Sequence, residues 1–153
     1  MAAVIVRQAG YEGGEIRSLV FGMMDAMGGA EIRRGSLVLV KPNLLSPARP
    51  GQAILTHPSI VRAAVEYVLE RGARPLLADS PAIGSFETIL RMSGIRDALQ
   101  GLECECRPFR DSVRVDVGPP FGAIEVAEEA LRADAIVNLP KLKTHSQMLL
   151  TLA

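Results

Sequence analysis

Three short stretches of this chain follow the same pattern. Val38-Leu39-Val40 runs into Lys41-Pro42-Asn43, Leu76-Leu77-Ala78 into Asp79-Ser80-Pro81, and Ile136-Val137 into Asn138-Leu139-Pro140-Lys141. Aliphatic residues on consecutive positions fit strands covered on both faces, as in parallel sheets wrapped by helices. A proline just beyond removes a ladder donor and ends the pairing. Between these runs, Ile16, Leu19, Val20, Met23 and Met27 fall at helical spacing, as do Val61, Ala64, Val65, Val68 and Leu69. Strands alternating with helices predict an α/β fold, a layered sandwich in which helices flank a largely parallel, or mixed, central sheet.

Local signals place the other elements. Ala2 to Arg7 is expected as a short buried strand broken by Gly10 to Gly14, and the helix from Glu15 ends at Gly28-Gly29. Pro58 suits a first helical position, with Thr56 or His57 as its cap. Ser85 caps a short helix through Met92, and Ser93-Gly94 introduces another helical turn to Leu99. Leu102, Cys104 and Cys106 alternate with Glu103 and Glu105, so both thiols are expected on one strand face. Val113, Val115 and Val117 alternate too, and Gly118 to Gly122 turns that strand back as a hairpin. A brief helix from Ala127 to Arg132 then leads to the last strand at Ala135 to Val137. The Pro- and Gly-rich stretch from Lys41 to Thr56 is long for a loop in a compact domain, and loops of that size are usually functional or disordered.

At 153 residues the chain suits one domain over residues 1–153. Because the apolar run from Gln147 stops at Ala153 without a cap, its closing elements are expected elsewhere. Only 4% of the chain is aromatic and Trp is absent, so the core must be aliphatic. A net charge of +0 argues against nucleic acid as a partner, which would call for a basic stripe with stacking aromatics. No apolar run is long enough to predict a membrane span, and the start lacks a signal-peptide pattern. Two cysteines, Cys104 and Cys106, make no disulfide framework, so a reducing cytoplasm is the expected compartment. Cys104-Glu105-Cys106 also lacks the further ligands of a zinc or iron–sulfur centre and reads as buried thiols, with no metal site expected. Walker, Gly-x-Gly-x-x-Gly and Gly-x-Ser-x-Gly patterns do not occur.

The chemistry concentrates in two segments. The chain has three lysines, two histidines and two asparagines; Ile136 to His145 holds two, one and one of these, and Lys41 to His57 holds the rest. Fourteen of the seventeen cationic side chains are arginine, so a lysine here signals a need for a compact, flexible ammonium. In a parallel sheet the strand exits lie on one edge, and ligands bind outside the carboxyl ends. That brings Lys41, Asn43, His57, Asp79, Ser80, Asn138, Lys141, Lys143, Thr144 and His145 toward one cleft. Three ammonium groups against one carboxylate would attract a small anionic ligand, oriented by Asn43, Asn138, Ser80 and Thr144. His145, with Lys141 beside it, carries the catalytic expectation, since neighbouring ammonium groups favour the proton-accepting neutral imidazole. His57 is better explained as a helix-start residue. Asp79 is open to three readings: orienting a lysine, binding a substrate hydroxyl, or starting a turn.

Val38 to Leu45 with Thr56-His57-Pro58, Ala78-Asp79-Ser80-Pro81 and Asn138 to His145 resemble the family catalogued as domain of unknown function 362, over Leu37 to the chain end. The resemblance implies a longer protein, since that family normally continues past the position matching Ala153. It also implies a possible link to iron–sulfur chemistry, because members often carry a ferredoxin-like 4Fe-4S module. This chain has no Cys-x-x-Cys-x-x-Cys run, so no cluster ligand is carried over to it. The expected function is a small-anion- or cofactor-binding α/β domain of a cytoplasmic enzyme, redox-linked through a module or domain outside this chain. The alternative is a non-catalytic accessory or scaffold module that docks an acidic protein partner.

Overall fold

The computed structural model describes residues 4–11, 14–145 and 149–151. In chain order the elements are α1 (Glu15–Ala26), β1 (Leu37–Pro42), α2 (Pro58–Glu70), β2 (Arg74–Leu77), α3 (Phe86–Met92), α4 (Ile95–Ala98), β3 (Glu105–Cys106), β4 (Ser112–Gly118), β5 (Gly122–Ala127), α5 (Glu128–Arg132), β6 (Ala135–Leu139), β7 (Lys143–His145) and β8 (Leu149–Thr151). Four strands form one sheet in the order β3-β2-β1-β6, and every neighbouring pair is parallel. β4 with β5 and β7 with β8 form separate antiparallel pairs. The α/β layered fold expected from the alternation of runs is the fold observed.

The consecutive aliphatics of β1 are needed because both of its faces are covered. Val38 and Val40 pack with Val61, Ala64, Val65 and Val68 of α2 and with Ile89 and Leu90 of α3. Leu39 points the other way, into a smaller cluster with Leu76, Ala78, Phe109, Ala130 and Ala133. α1 lies against α2 through Ile16, Val20 and Met24 on one side and Ala63 and Tyr67 on the other. At that seam the Tyr67 hydroxyl donates to Asp25 at 2.5 Å. Gly29 follows α1 for a steric reason, since a Cβ there would come within 2.6 Å of the Tyr67 hydroxyl and 2.8 Å of the Met24 carbonyl oxygen.

The caps follow their sequence signals. His57 is the N-cap of α2, with Pro58 at its first helical position, and the Ser85 hydroxyl accepts from Thr88 N–H to cap α3. Two expectations are corrected. Residues 4–7 form no strand, and Val4 and Val6 stand 89% and 79% exposed; an aliphatic run becomes a strand only where a neighbour completes the ladder, and the sheet is bounded by β3 and β6 instead. Ala2 and Ala3, the start of that run, lie outside the described residues. The Lys41 to Thr56 stretch is not structureless either. A 3-10 turn at Pro50–Gln52 is tied by Arg49 N–H to Gln52 Oε1 at 2.8 Å, and Leu44, Ala48 and Leu55 are buried.

Leu39 has no exposed surface and sits on the central strand. Leu39→Ala should lower unfolding free energy by about 2–5 kcal/mol through lost transfer energy and a residual cavity. A urea titration should show a lower midpoint with an unchanged slope.

Candidate functional site at the carboxyl edge of the sheet

From β1 the chain steps to β2 and β3 on one side, then returns to place β6 on the other. The order therefore reverses between β1 and β6, the position at which open α/β sheets leave a crevice beyond their carboxyl ends. Register sets Lys41 beside Asn138 and Pro42 beside Leu139. Asp79 lies two residues past the end of β2.

Two polar clusters hold this edge together. In the first, Lys41 Nζ pairs with Asp79 Oδ1 at 2.9 Å, while Asp79 Oδ2 accepts from Leu44 N–H at 2.8 Å. Asp79 is 7% exposed, so one buried carboxylate both orients a lysine and pins the loop leaving β1. The second cluster centres on Thr56, which is 3% exposed. Its hydroxyl accepts from Asn43 N–H at 2.8 Å and donates to the Leu139 carbonyl at 2.6 Å, which links the ends of β1 and β6. The Asn43 side chain donates to the Ile54 carbonyl at 3.0 Å and accepts from Lys143 Nζ at 3.0 Å. Burial draws the Lys143 ammonium below the ordinary lysine value, and the nearby Asp79 charge only partly opposes this.

Beside these clusters a cavity of about 310 Å³ opens at the start of α2, lined in part by Tyr11, Arg49, Thr56, His57, Ser93 and Lys141. The Tyr11 and His57 rings stack with centroids 4.0 Å apart and planes 14° from parallel. Lys141 Nζ lies 5.7 Å from the Tyr11 ring centroid, within reach of a cation–π contact. His57 Nδ1 accepts from Ser59 N–H at 3.3 Å and lies 2.6 Å from the Ser59 hydroxyl oxygen, so the cap leaves this nitrogen unprotonated.

The expected single cleft is thus two adjoining groups with some members outside both. Lys41, Asp79, Asn43 and Lys143 converge, while Lys141 and His57 line the cavity. Asn138, although beside Lys41 in register, is exposed and borders a different groove along β6, the outer strand of the sheet among the described residues, with Met24, Met27 and Ile32. Ser80 and Thr144 are exposed. His145 lies on β7, and its side chain falls outside the described residues. The count of three free ammonium groups also changes, because Asp79 is committed to Lys41. Sequence reasoning missed Tyr11, Arg49 and Ser93 and gave Thr56 only a capping role. A tyrosine within a glycine-rich break, one of two in the chain, was the available signal for Tyr11.

A doubly wound α/β domain with a lysine-rich carboxyl edge is the class these observations define. The family model described as domain of unknown function (DUF362) matches residues 38–153, and the chain belongs to that family. It is 34% identical over 150 residues to the thylakoid-associated protein sll1697 of Synechocystis sp., covering 97% of this chain and 47% of the relative. The chain therefore spans about half the length of the curated relative it matches. No solved structure matches it. Among the described residues no helix is long and apolar enough to cross a membrane.

Thr56→Val should cost about 1–3 kcal/mol in urea unfolding, because it strands the Asn43 N–H and removes the donor to Leu139, while Thr56→Ser should restore most of the loss. Lys143 yields a pH prediction. Its native amine releases a proton more readily than in the unfolded chain, so the unfolded state binds more protons between the two values. Stability should therefore rise with pH from the depressed native value up to the ordinary 10.5. NMR of reductively ¹³C-methylated protein should show one lysine resonance titrating below the free-peptide value and missing from Lys143→Arg.

Proposed function

We propose that the cavity at the start of α2 binds a small anion, a carboxylate or phosphate, as the ligand-holding part of a larger enzyme. The observation that carries this reading is the charge of its walls. Among the described residues that line it are two cations, Arg49 and Lys141, and no carboxylate. The amino end of α2, a helix of 13 residues, lies at the same wall and adds its partial positive charge. The Tyr11–His57 stack supplies a flat apolar side for the carbon skeleton of an organic anion. Lys143, held by Asn43 and less readily protonated than an ordinary lysine, is a second amine at the same sheet edge, outside the cavity lining.

Proton transfer by His145, two positions beyond Lys143, belongs to the same proposal on sequence grounds. So do the cytoplasmic setting and the redox link, which would be supplied by sequence outside this chain. The relative's name associates that protein with thylakoids and says nothing of a ligand.

Titration calorimetry with phosphate, sulfate and small carboxylates tests the site. Wild type should bind at least one of them saturably without any protein partner, and Lys141→Ala should weaken that binding by roughly 10- to 100-fold, the worth of a lost charge-assisted hydrogen bond. Ordinary binding by a folded Lys141→Ala variant would remove the reading. Binding to an acidic protein alone, with no small anion taken up, would favour the docking module.

A further inference from the structure

The β4–β5 hairpin lies apart from the site described above, and one of its faces is built like a core face. In register, Val113 stands opposite Val126 and Val115 opposite Ile124. These pairs alternate with Ser112 opposite Ala127, Arg114 opposite Glu125 and Asp116 opposite Ala123. Positions two apart share a face of a strand, so four β-branched aliphatics line one side and the charged residues line the other. Among the described residues, none of the four belongs to a hydrophobic cluster of the domain. The polar side finds partners within itself, the Ser112 hydroxyl donating to Glu125 Oε2 at 2.7 Å. The apolar side does not. Val113, Val117 and Ile124 are 41–46% exposed, and Phe121 at the turn is 77% exposed. A two-stranded hairpin is marginal in water with nothing against its apolar face.

Three features decide what covers it. The first is charge. From Val117 to Ile124 eight successive residues carry none, while the flanks, Arg110 to Asp116 and Glu125 to Glu128, hold two arginines against four carboxylates. An anionic surface therefore meets no basic patch here. The second is the backbone. Gly118 N–H donates to Asp116 Oδ1 at 2.9 Å and Phe121 N–H to the Gly118 carbonyl at 3.1 Å, while Pro119 and Pro120 have no N–H to satisfy. No donor from Gly118 to Phe121 is left to water, which is the condition for entering an apolar phase without a large penalty. The third is area. At their exposures the side chains of Val113, Val117, Phe121 and Ile124 offer on the order of 300 Å², against roughly 800 Å² from each partner in a stable protein interface. That is too little to hold a second copy, whereas a fluid lipid surface closes around a projecting tip and needs no matching pocket.

We propose that the β4–β5 turn, led by Phe121, inserts into the surface layer of a lipid bilayer with uncharged or zwitterionic headgroups and tethers the domain there. Phe121, Val117 and Ile124 enter the boundary between headgroups and acyl chains, where attachment scales with the apolar area buried. Arg114, Asp116 and Glu125, on the opposite face of the hairpin, stay with headgroups and water. The attachment is peripheral and reversible, because only a few side chains leave water.

The test uses phosphatidylcholine vesicles. Wild type should sediment with them, and Phe121→Asp should lower its partition at least about tenfold, the worth of one buried aromatic side chain. The urea midpoint of that variant should match wild type, since residue 121 is mostly in water. The chain has no Trp, so Phe121→Trp places a single reporter at the tip. Its emission should shift to the blue with vesicles and be quenched by brominated acyl chains. Added salt should not release the protein, and phosphatidylglycerol should not improve its binding. Wild type that stays in the supernatant, or Phe121→Asp that sediments equally well, would overturn the proposal. Binding confined to anionic vesicles and released by salt would replace insertion with a charge contact and so refute it. A concentration-dependent dimer, lost in Phe121→Asp, from a protein that ignores vesicles would assign the face to a second copy instead.

Discussion

One buried hydroxyl, that of Thr56, joins the ends of two neighbouring strands. It accepts from the backbone of Asn43 beyond β1 and donates to the backbone of Leu139 at the end of β6. β1 and β6 are the strands between which the sheet order reverses, so the crevice beyond their carboxyl ends would otherwise be bounded by two unrelated loops. A side chain that satisfies a backbone donor on one and an acceptor on the other fixes their spacing. Everything downstream inherits that spacing. Asn43 can reach both Ile54 and Lys143, and the residue after Thr56 is the cap of α2.

Electrostatics then divide the three lysines by role. Lys41 is matched by a nearly buried carboxylate and serves the architecture, because Asp79 also holds Leu44 N–H. Lys143 is held by neutral oxygens of Asn43 and Ile54, and burial makes its charged form costlier than in water. Lys141 stands over an aromatic ring beside an open cavity, where its charge faces no carboxylate among the described lining residues. An edge read in sequence as three lysines against one carboxylate is thus graded from an ion pair to a charge beside an open cavity.

The sheet was legible because a strand buried on two faces must be aliphatic at every position, and Val38 to Val40 and Leu76 to Ala78 meet that demand, whereas β6 at the edge buries one face only and leaves Ile136 half exposed. Pro58 and Ser85 were legible because helix starts follow from local backbone chemistry. The run at residues 4–7 misled because the same aliphatic composition makes a strand only when a neighbour completes the ladder. Asn138 misled in a related way. Its closeness to the end of an aliphatic run is a matter of sequence, but the groove it borders depends on β6 being the outer strand of the sheet among the described residues. Tyr11, Arg49 and Ser93 reach the cavity from three distant segments, and spacing along the chain carries no trace of such a meeting.

The amino-acid sequence by itself determined the α/β class, the parallel strands and the edge at which the scarce lysines and asparagines would emerge, because periodicity and proline punctuation act through neighbouring residues. Tertiary structure alone decided which lysine is neutralised, which is desolvated and which faces a cavity. Those outcomes depend on distances between side chains separated by up to a hundred positions, as between Lys143 and Asn43, and on burial that exists only once the layers have packed.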